Sequence, residues 1–152
     1  MIKYEIKNAE LDDLESIIKI WNKNNKVLGR YFKSDLLQQI EEKRLLVAKM
    51  EDNTVIGFCG LILKKKTFIL EIDGICISEE YRGNGIGKAF VEKLKEYGRP
   101  IELECVDGAE NNKFYDRIAK LTGTRMSKSG NLKLRQYRID NGIKTPKKTR
   151  LI

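Results

Sequence analysis

The sequence predicts a mixed α/β fold, a mixed sheet with helices on both faces, in the element order β-α-α-β-β-β-α-β-α-β-β. Three observations predict it. Short stretches of alternating or continuous apolar residues recur at intervals along the chain. Between them the apolar spacing switches to the three-and-four period of amphipathic helices. Residues 71–88, Glu-Ile-Asp-Gly-Ile-Cys-Ile-Ser-Glu-Glu-Tyr-Arg-Gly-Asn-Gly-Ile-Gly-Lys, join one strand to one helix through three glycines in five positions.

Ile2, Tyr4 and Ile6 alternate with polar residues and predict the first strand. From Leu11 the period changes: Leu11, Leu14, Ile17, Ile18 and Trp21 mark one helical face, and Asp12 and Asp13 suit its first turn. The polar run 22–25 ends that helix, and Ser34 reads as the N-cap of a second one carrying Leu36, Leu37 and Ile40. Between them lies Val27-Leu28-Gly29-Arg30-Tyr31-Phe32, a mixed aromatic and basic loop in which Phe32 reads as a plug over the core. Residues 45–49 and 54–63 predict a hairpin around a tight Glu-Asp-Asn turn. Lys64-Lys65-Lys66 makes the next turn, read as solubilising, and 67–77 is the long strand that enters the glycines. The helix after them places Ile86, Phe90, Leu94 and Tyr97 on one face, and Gly98-Arg99-Pro100 stops it. A strand at 101–106 and a helix at 111–121, with Phe114, Ile118 and Leu121 on its apolar face, follow. Gly123 and Ser129-Gly130-Asn131 punctuate a last hairpin over 124–128 and 132–139. From Asn141 onward apolar content nearly vanishes, which predicts one domain over 1–140 and a mobile basic tail over 141–152.

Composition narrows the chemistry. The chain has no histidine, which excludes His-based catalysis and His-ligated metals, and no metal site is expected. Cys59, Cys76 and Cys105 each sit in an apolar run without CxxC spacing, as reduced core thiols of a cytoplasmic protein do. No apolar run approaches the roughly 20 residues that span a bilayer, and no apolar signal region follows the N-terminus. A cytoplasmic protein without membrane partners is therefore expected. The formal net charge of +8 favours acidic partners: nucleic acid, a phosphorylated cofactor or an acidic protein. Part of that charge is local, because Lys144, Lys147, Lys148 and Arg150 cluster in the tail.

Strand, glycine-rich turn and helix form a geometry that holds anions. Glycines let backbone N–H groups approach a phosphate closely, and the helix N-terminus adds partial positive charge. A Walker loop is excluded, since position 82 is Arg and position 89 is Ala. Gly83, Gly85 and Gly87 also miss the Gly-x-Gly-x-x-Gly dinucleotide spacing. The pattern that fits is Arg-x-x-Gly-x-Gly, read as Arg82, Gly85 and Gly87. In this setting the sequence resembles the pyrophosphate loop of the GCN5-related N-acetyltransferases, the GNAT family, which bind acetyl-coenzyme A. The element order over about residues 1–140 is similar to the whole fold of that family. Phe114-Tyr115 stands where the family often has an aromatic–Tyr pair.

The resemblance implies an acetyl-CoA-dependent N-acetyltransferase acting on a primary amine by direct attack in a ternary complex. It implies that Arg82, Gly83, Asn84, Gly85, Ile86, Gly87 and Lys88 hold the pyrophosphate, and that the backbone of Ile75, Cys76 and Ile77 pairs with the pantetheine arm. An alkylamine with a pKa of about 10.4 needs a base. Glu71 matches one position of the family's catalytic glutamate, and Asp73 on the same strand face and Glu104 on the next strand, with Glu102 on the same side, are further carboxylate candidates. Tyr115 matches the tyrosine that protonates the departing thiolate. One departure is Gly108, where the family often has Asn; Asn111 or Asn112 is then the candidate for that cofactor contact. Cys76 beside the loop invites a covalent acetyl-enzyme, but direct transfer is the family norm. The acceptor, a small molecule, a protein or an aminoacyl-tRNA, is not named by the sequence, nor is the oligomeric state, a homodimer included. In this fold the loop bearing Arg30 and Tyr31 helps shape the acceptor site. The alternative is a non-catalytic module of this fold binding nucleic acid or an acidic partner through the tail, Lys133, Arg135 and Arg138.

Overall fold

A computed structural model of the chain describes residues 2–24 and 31–142. The expectations for Val27, Leu28, Gly29 and Arg30, and for the basic tail beyond Gly142, lie outside the described residues. Seven strands are described, β1 (Tyr4–Asn8), β2 (Leu45–Met50), β3 (Val55–Leu63), β4 (Leu70–Ile77), β5 (Ile101–Val106), β6 (Lys120–Met126) and β7 (Lys133–Ile139). With them are four α-helices, α1 (Leu14–Lys23), α2 (Lys33–Glu41), α3 (Ile86–Lys95) and α4 (Asn112–Ile118). Hydrogen bonding orders the strands β1-β2-β3-β4-β5-β7-β6 in one sheet. The pair β4–β5 is parallel, whereas β1–β2, β2–β3, β5–β7 and β6–β7 are antiparallel, so the sheet is mixed as the element order predicts.

The chain divides into two compact units. The first comprises Met1–Leu61 and Asp73–Leu94. Its core gathers Leu14, Ile17 and Ile20 of α1, Leu36 of α2, Leu45 and Val47 of β2, Val55 and Phe58 of β3 and Cys76 of β4. Trp21 stacks on Phe58 at 5.6 Å between ring centroids. Leu11, expected on the helical face, is instead 64% exposed in a 3₁₀ turn, because Asp13 closes the helix start. The Asp13 carboxylate accepts the Glu10 N–H at 2.9 Å and, buried, pairs with the Lys49 ammonium at 2.7 Å. Ser34 is not the cap of α2. The cap lies two residues earlier, at Phe32, whose carbonyl accepts from the N–H groups of Asp35 and Leu36. Phe32 itself is 62% exposed, so it does not plug the core.

The second unit comprises Ile62–Ile72 and Lys95–Ile152. Leu70, Ile72, Ile101, Leu103, Tyr115, Tyr137 and Ile139 are buried in it. The turn before β4 takes up residues expected in the strand: Lys64 and Ile69 close it, and Phe68 sits at φ +61 under the Arg99 guanidinium. Helix α4 ends at Ile118 because Ala119 turns extended and β6 begins, three residues before the expected end. Leu121 is consequently an exposed residue of an edge strand. The helix ending at Lys95 likewise leaves Tyr97 beyond it and 36% exposed. Asn141, expected to open a mobile tail, donates its amide N–H to the Arg99 carbonyl.

Candidate active site

In the first unit, β4 ends at Ile77 and leads through a 3₁₀ turn, Glu79–Tyr81, into the glycines. Ser78 donates its N–H to the Ile56 carbonyl at 2.9 Å, which fixes the exit from the strand. Gly57 on β3 permits this approach, since a Cβ there would lie 2.9 Å from Ile77 Cδ1 and 3.0 Å from the Cys76 carbonyl oxygen. Gly83 and Gly85 adopt φ +80 and +77, a left-handed backbone that favours glycine. A Cβ at either would meet nothing within 4 Å, so the loop faces open space. Ile86, buried, anchors the loop where α3 begins, while Lys88 is exposed and Gly87 half-buried. The first N–H groups of a helix lack intrahelical acceptors, and α3 presents them next to these glycines.

Three side chains brace this loop. Asn84 donates to the carbonyls of Tyr81 at 2.9 Å and Arg82 at 3.4 Å. Arg82 donates through Nε to the Ile77 carbonyl at 3.1 Å and through Nη2 to Asn24 Oδ1 at 2.6 Å. A cavity of about 230 Å³ beside Arg82 is lined by Ile20, Lys23, Asn24, Ser78, Glu79 and Arg82. Ile75 and Ile77 are half-buried on either side of Cys76, whose thiol is pushed up to about 11 by burial. A thiol so held stays protonated near neutrality, which disfavours Cys76 as a nucleophile. Asp73, exposed, accepts an N–H from the buried Gln39 at 3.3 Å.

In the second unit, Glu71, Glu102 and Glu104 form a row of half-buried carboxylates on β4 and β5. Glu71 and Glu102 are register neighbours across the parallel pair, an arrangement of like charges that requires counterions. Lys64 supplies one to Glu71 at 3.4 Å and Arg138 one to Glu102 at 2.8 Å. Lys64, read as a solubilising turn residue, thus has a specific partner. Glu104 is gripped harder: Arg125 donates to both its oxygens, at 2.5 and 2.8 Å, and Gln136 donates at 3.2 Å. Gly123 makes room for that glutamine, since a Cβ there would lie 3.2 Å from Gln136 Oε1. The bidentate Arg125 guanidinium holds the Glu104 carboxyl below the usual carboxylate range.

Tyr115 lies buried on α4, edge-on to Phe114 at 5.1 Å and tilted against Tyr137 at 5.8 Å. Tyr137 donates its hydroxyl proton to Asp116 at 2.7 Å. Asn112 is 5% exposed and fully engaged within the protein. Its Oδ1 accepts the Gly108 N–H at 2.8 Å, and its Nδ2 donates to the Val106 carbonyl at 3.0 Å and to Cys105 Sγ at 3.2 Å. Asn112 thereby brackets the loop between β5 and α4, and its neighbour Asn111 is half-buried. Two cations of the expected nucleic-acid surface are also neutralised internally, Arg135 by Asp107 at 2.5 Å and Arg138 by Glu102.

Among the described residues, no helix is long and apolar enough to cross a membrane. The family model of the Acetyltransferase (GNAT) family matches residues 8–119. An uncharacterised N-acetyltransferase of Methanocaldococcus jannaschii is 27% identical over 135 residues, covering 76% of this chain. The chain spans 59% of the length of that curated relative. Among solved structures, Ard1 from Thermoplasma volcanium is similar at a TM-score of 0.76 and 19% identity, over 91% of this chain and 98% of that one. N-acetylglutamate synthase from Neisseria gonorrhoeae, solved with coenzyme A and N-acetyl-glutamate, is similar at a TM-score of 0.71 and 13% identity. That match covers 92% of this chain and 36% of the synthase. At these identities the likeness is one of fold.

Proposed function

The chain belongs to the GNAT family of acetyltransferases, and from that premise we propose that it moves an acetyl group from acetyl-coenzyme A to a primary amine by direct attack in a ternary complex. The observation that carries the proposal is the glycine loop. Its left-handed Gly83 and Gly85 open onto free space at the head of α3, with the Arg82 guanidinium fixed beside them. Such a loop suits a pyrophosphate, with the N–H groups of residues 83–88 and the charge of Arg82 as the grip. The backbone of Ile75, Cys76 and Ile77 pairs with the amide groups of the pantetheine arm, and Asn111 supplies a further contact. Acetyl-coenzyme A supplies the activated acetyl thioester.

Glu71 takes the proton of the acceptor amine, directly or through water. One observation favours it over Glu104, which is locked in a bidentate pair that makes it a weaker base, whereas Glu71 faces a single ammonium at the longer distance of 3.4 Å. Tyr115 holds on its Oη the proton that the leaving thiolate takes up, a match of phenol to thiol acidity. The surplus of positive charge favours an acceptor in acidic surroundings, an aminoacyl-tRNA or an acidic protein N-terminus, over polycations.

The test is release of free coenzyme A thiol, with mass identification of the product, on small amines, peptides and aminoacyl-tRNA. Thiol release that depends on one acceptor, and that Tyr115→Phe reduces in kcat while leaving KM in place, is the expected result. Binding of acetyl-coenzyme A without acceptor-dependent release from any of the three classes would reduce the protein to a binding module.

A further inference from the structure

Asn24, the residue that closes helix α1, takes no part in the acetyltransferase pattern of the sequence. In the structure both ends of its amide are used. Nδ2 donates to the Ile20 carbonyl at 2.7 Å, satisfying one of the last acceptors of α1, and Oδ1 accepts from Arg82 Nη2 at 2.6 Å, 58 residues away in sequence. The orientation is self-consistent. A flipped amide would set an N–H against the guanidinium and an oxygen against a carbonyl. Arg82 is held at a second point, its Nε on the Ile77 carbonyl. An exposed arginine ordinarily retains much rotamer freedom, and ordering it on a ligand weakens binding. Here two contacts on separate atoms order the guanidinium in advance. Nη1 takes part in neither, and the cavity that Arg82 lines also carries Lys23 as a second cation, with Glu79 on the same lining.

We propose that Asn24 is a positioning residue: it pre-orders the Arg82 guanidinium, tying the end of α1 to the phosphate grip so that a phosphorylated ligand meets a cation already in place. The inference rests on the coenzyme A reading above.

A double-mutant cycle read by calorimetric titration of coenzyme A tests it. The proteins are wild type, Asn24→Ala, Arg82→Gln and the double variant, with displacement titration extending the range for weak binders. Asn24→Ala is expected to weaken coenzyme A about tenfold in the wild-type background and less than about twofold when Arg82 is already Gln. Loss of the Ile20 contact should lower the melting temperature equally in both backgrounds, which separates the helix-end role from the positioning role. Equal loss of affinity in both backgrounds, or no loss in the first, would overturn the inference while leaving the coenzyme A reading intact. A wild-type protein that binds no coenzyme A would overturn that reading, and the inference with it.

Discussion

Lys49→Met is the perturbation whose outcome the structure fixes most tightly. Lys49 and Asp13 are 8% and 4% exposed at the side chain, and their charged atoms lie 2.7 Å apart. At an effective dielectric of about 20 their attraction is about 6 kcal/mol, which offsets the desolvation of both groups. Methionine keeps most of the stem's volume, so the variant chiefly strips the buried carboxylate of its counterion. Breaking a buried pair costs about 3–5 kcal/mol, and Asp13 retains the Glu10 N–H at 2.9 Å, which places the expected loss near the lower end, about 3 kcal/mol. For 152 residues that lowers the melting temperature by about 9 °C. Urea titration and thermal melting read the effect directly. Adding Asp13→Asn, which removes the stranded charge and keeps an oxygen for Glu10, should recover part of the loss. A loss under about 1 kcal/mol for Lys49→Met, or a double variant less stable than the single one, would refute the reasoning.

Glu71→Gln should lower kcat by about 10²- to 10⁴-fold, the usual contribution of a positioned base, while Glu104→Gln lowers it less than about tenfold; the reverse order would move the base to β5. Asn112→Ala removes the acceptor of the Gly108 N–H, while the Val106 carbonyl keeps the Ala109 N–H, and should destabilise by about 1–2 kcal/mol in chemical denaturation. A change within experimental error there would mean that water replaces the amide. The pH dependence follows from Glu104 and Asp107, both held below the usual carboxylate range, by Arg125 and Arg135 respectively. Because the folded values lie below the unfolded ones, the stability these groups contribute is complete above about pH 4.3 and lost as pH falls through the folded values. Glu104→Gln should therefore flatten stability against pH in that acid range; an unchanged slope in urea titrations would show the pair to be thermodynamically silent.

What was legible in the sequence was local. The glycine loop and its helix follow from residues 82–94, because turn chemistry and helical period both act over a few positions, and Ile86, Phe90 and Leu94 are buried as their spacing requires. The order of elements followed from the alternation of periods. Boundaries failed where a tertiary partner outbid the local pattern. Leu121 fits the apolar face of a helix in sequence, yet β7 recruits it into an edge strand. Lys64 reads as one of three solvated lysines until β4 folds back and sets Glu71 beside it. Glu104 reads as one candidate carboxylate in sequence, and its partner Arg125 comes onto it from the last hairpin, 21 residues away. The bonding partners of Asn24, Asn84 and Asn112 left no trace, since a single polar residue bonding to distant or backbone atoms carries no periodicity. Among the carboxylates, the strands supplied the candidates, and the cations that meet them come from other elements.

The most direct test of the central claim is calorimetric titration of acetyl-coenzyme A into wild-type protein and Gly85→Glu. Open space around Gly85 admits a side chain, and its φ of +77 limits the expected folding penalty to about 1–2 kcal/mol, so the variant should remain folded. Its bulk and negative charge then stand in the loop to which the proposal assigns the phosphates. Micromolar binding to the wild type that disappears in the folded variant is the predicted result. No binding to the wild type, or unchanged affinity in the variant, would contradict it.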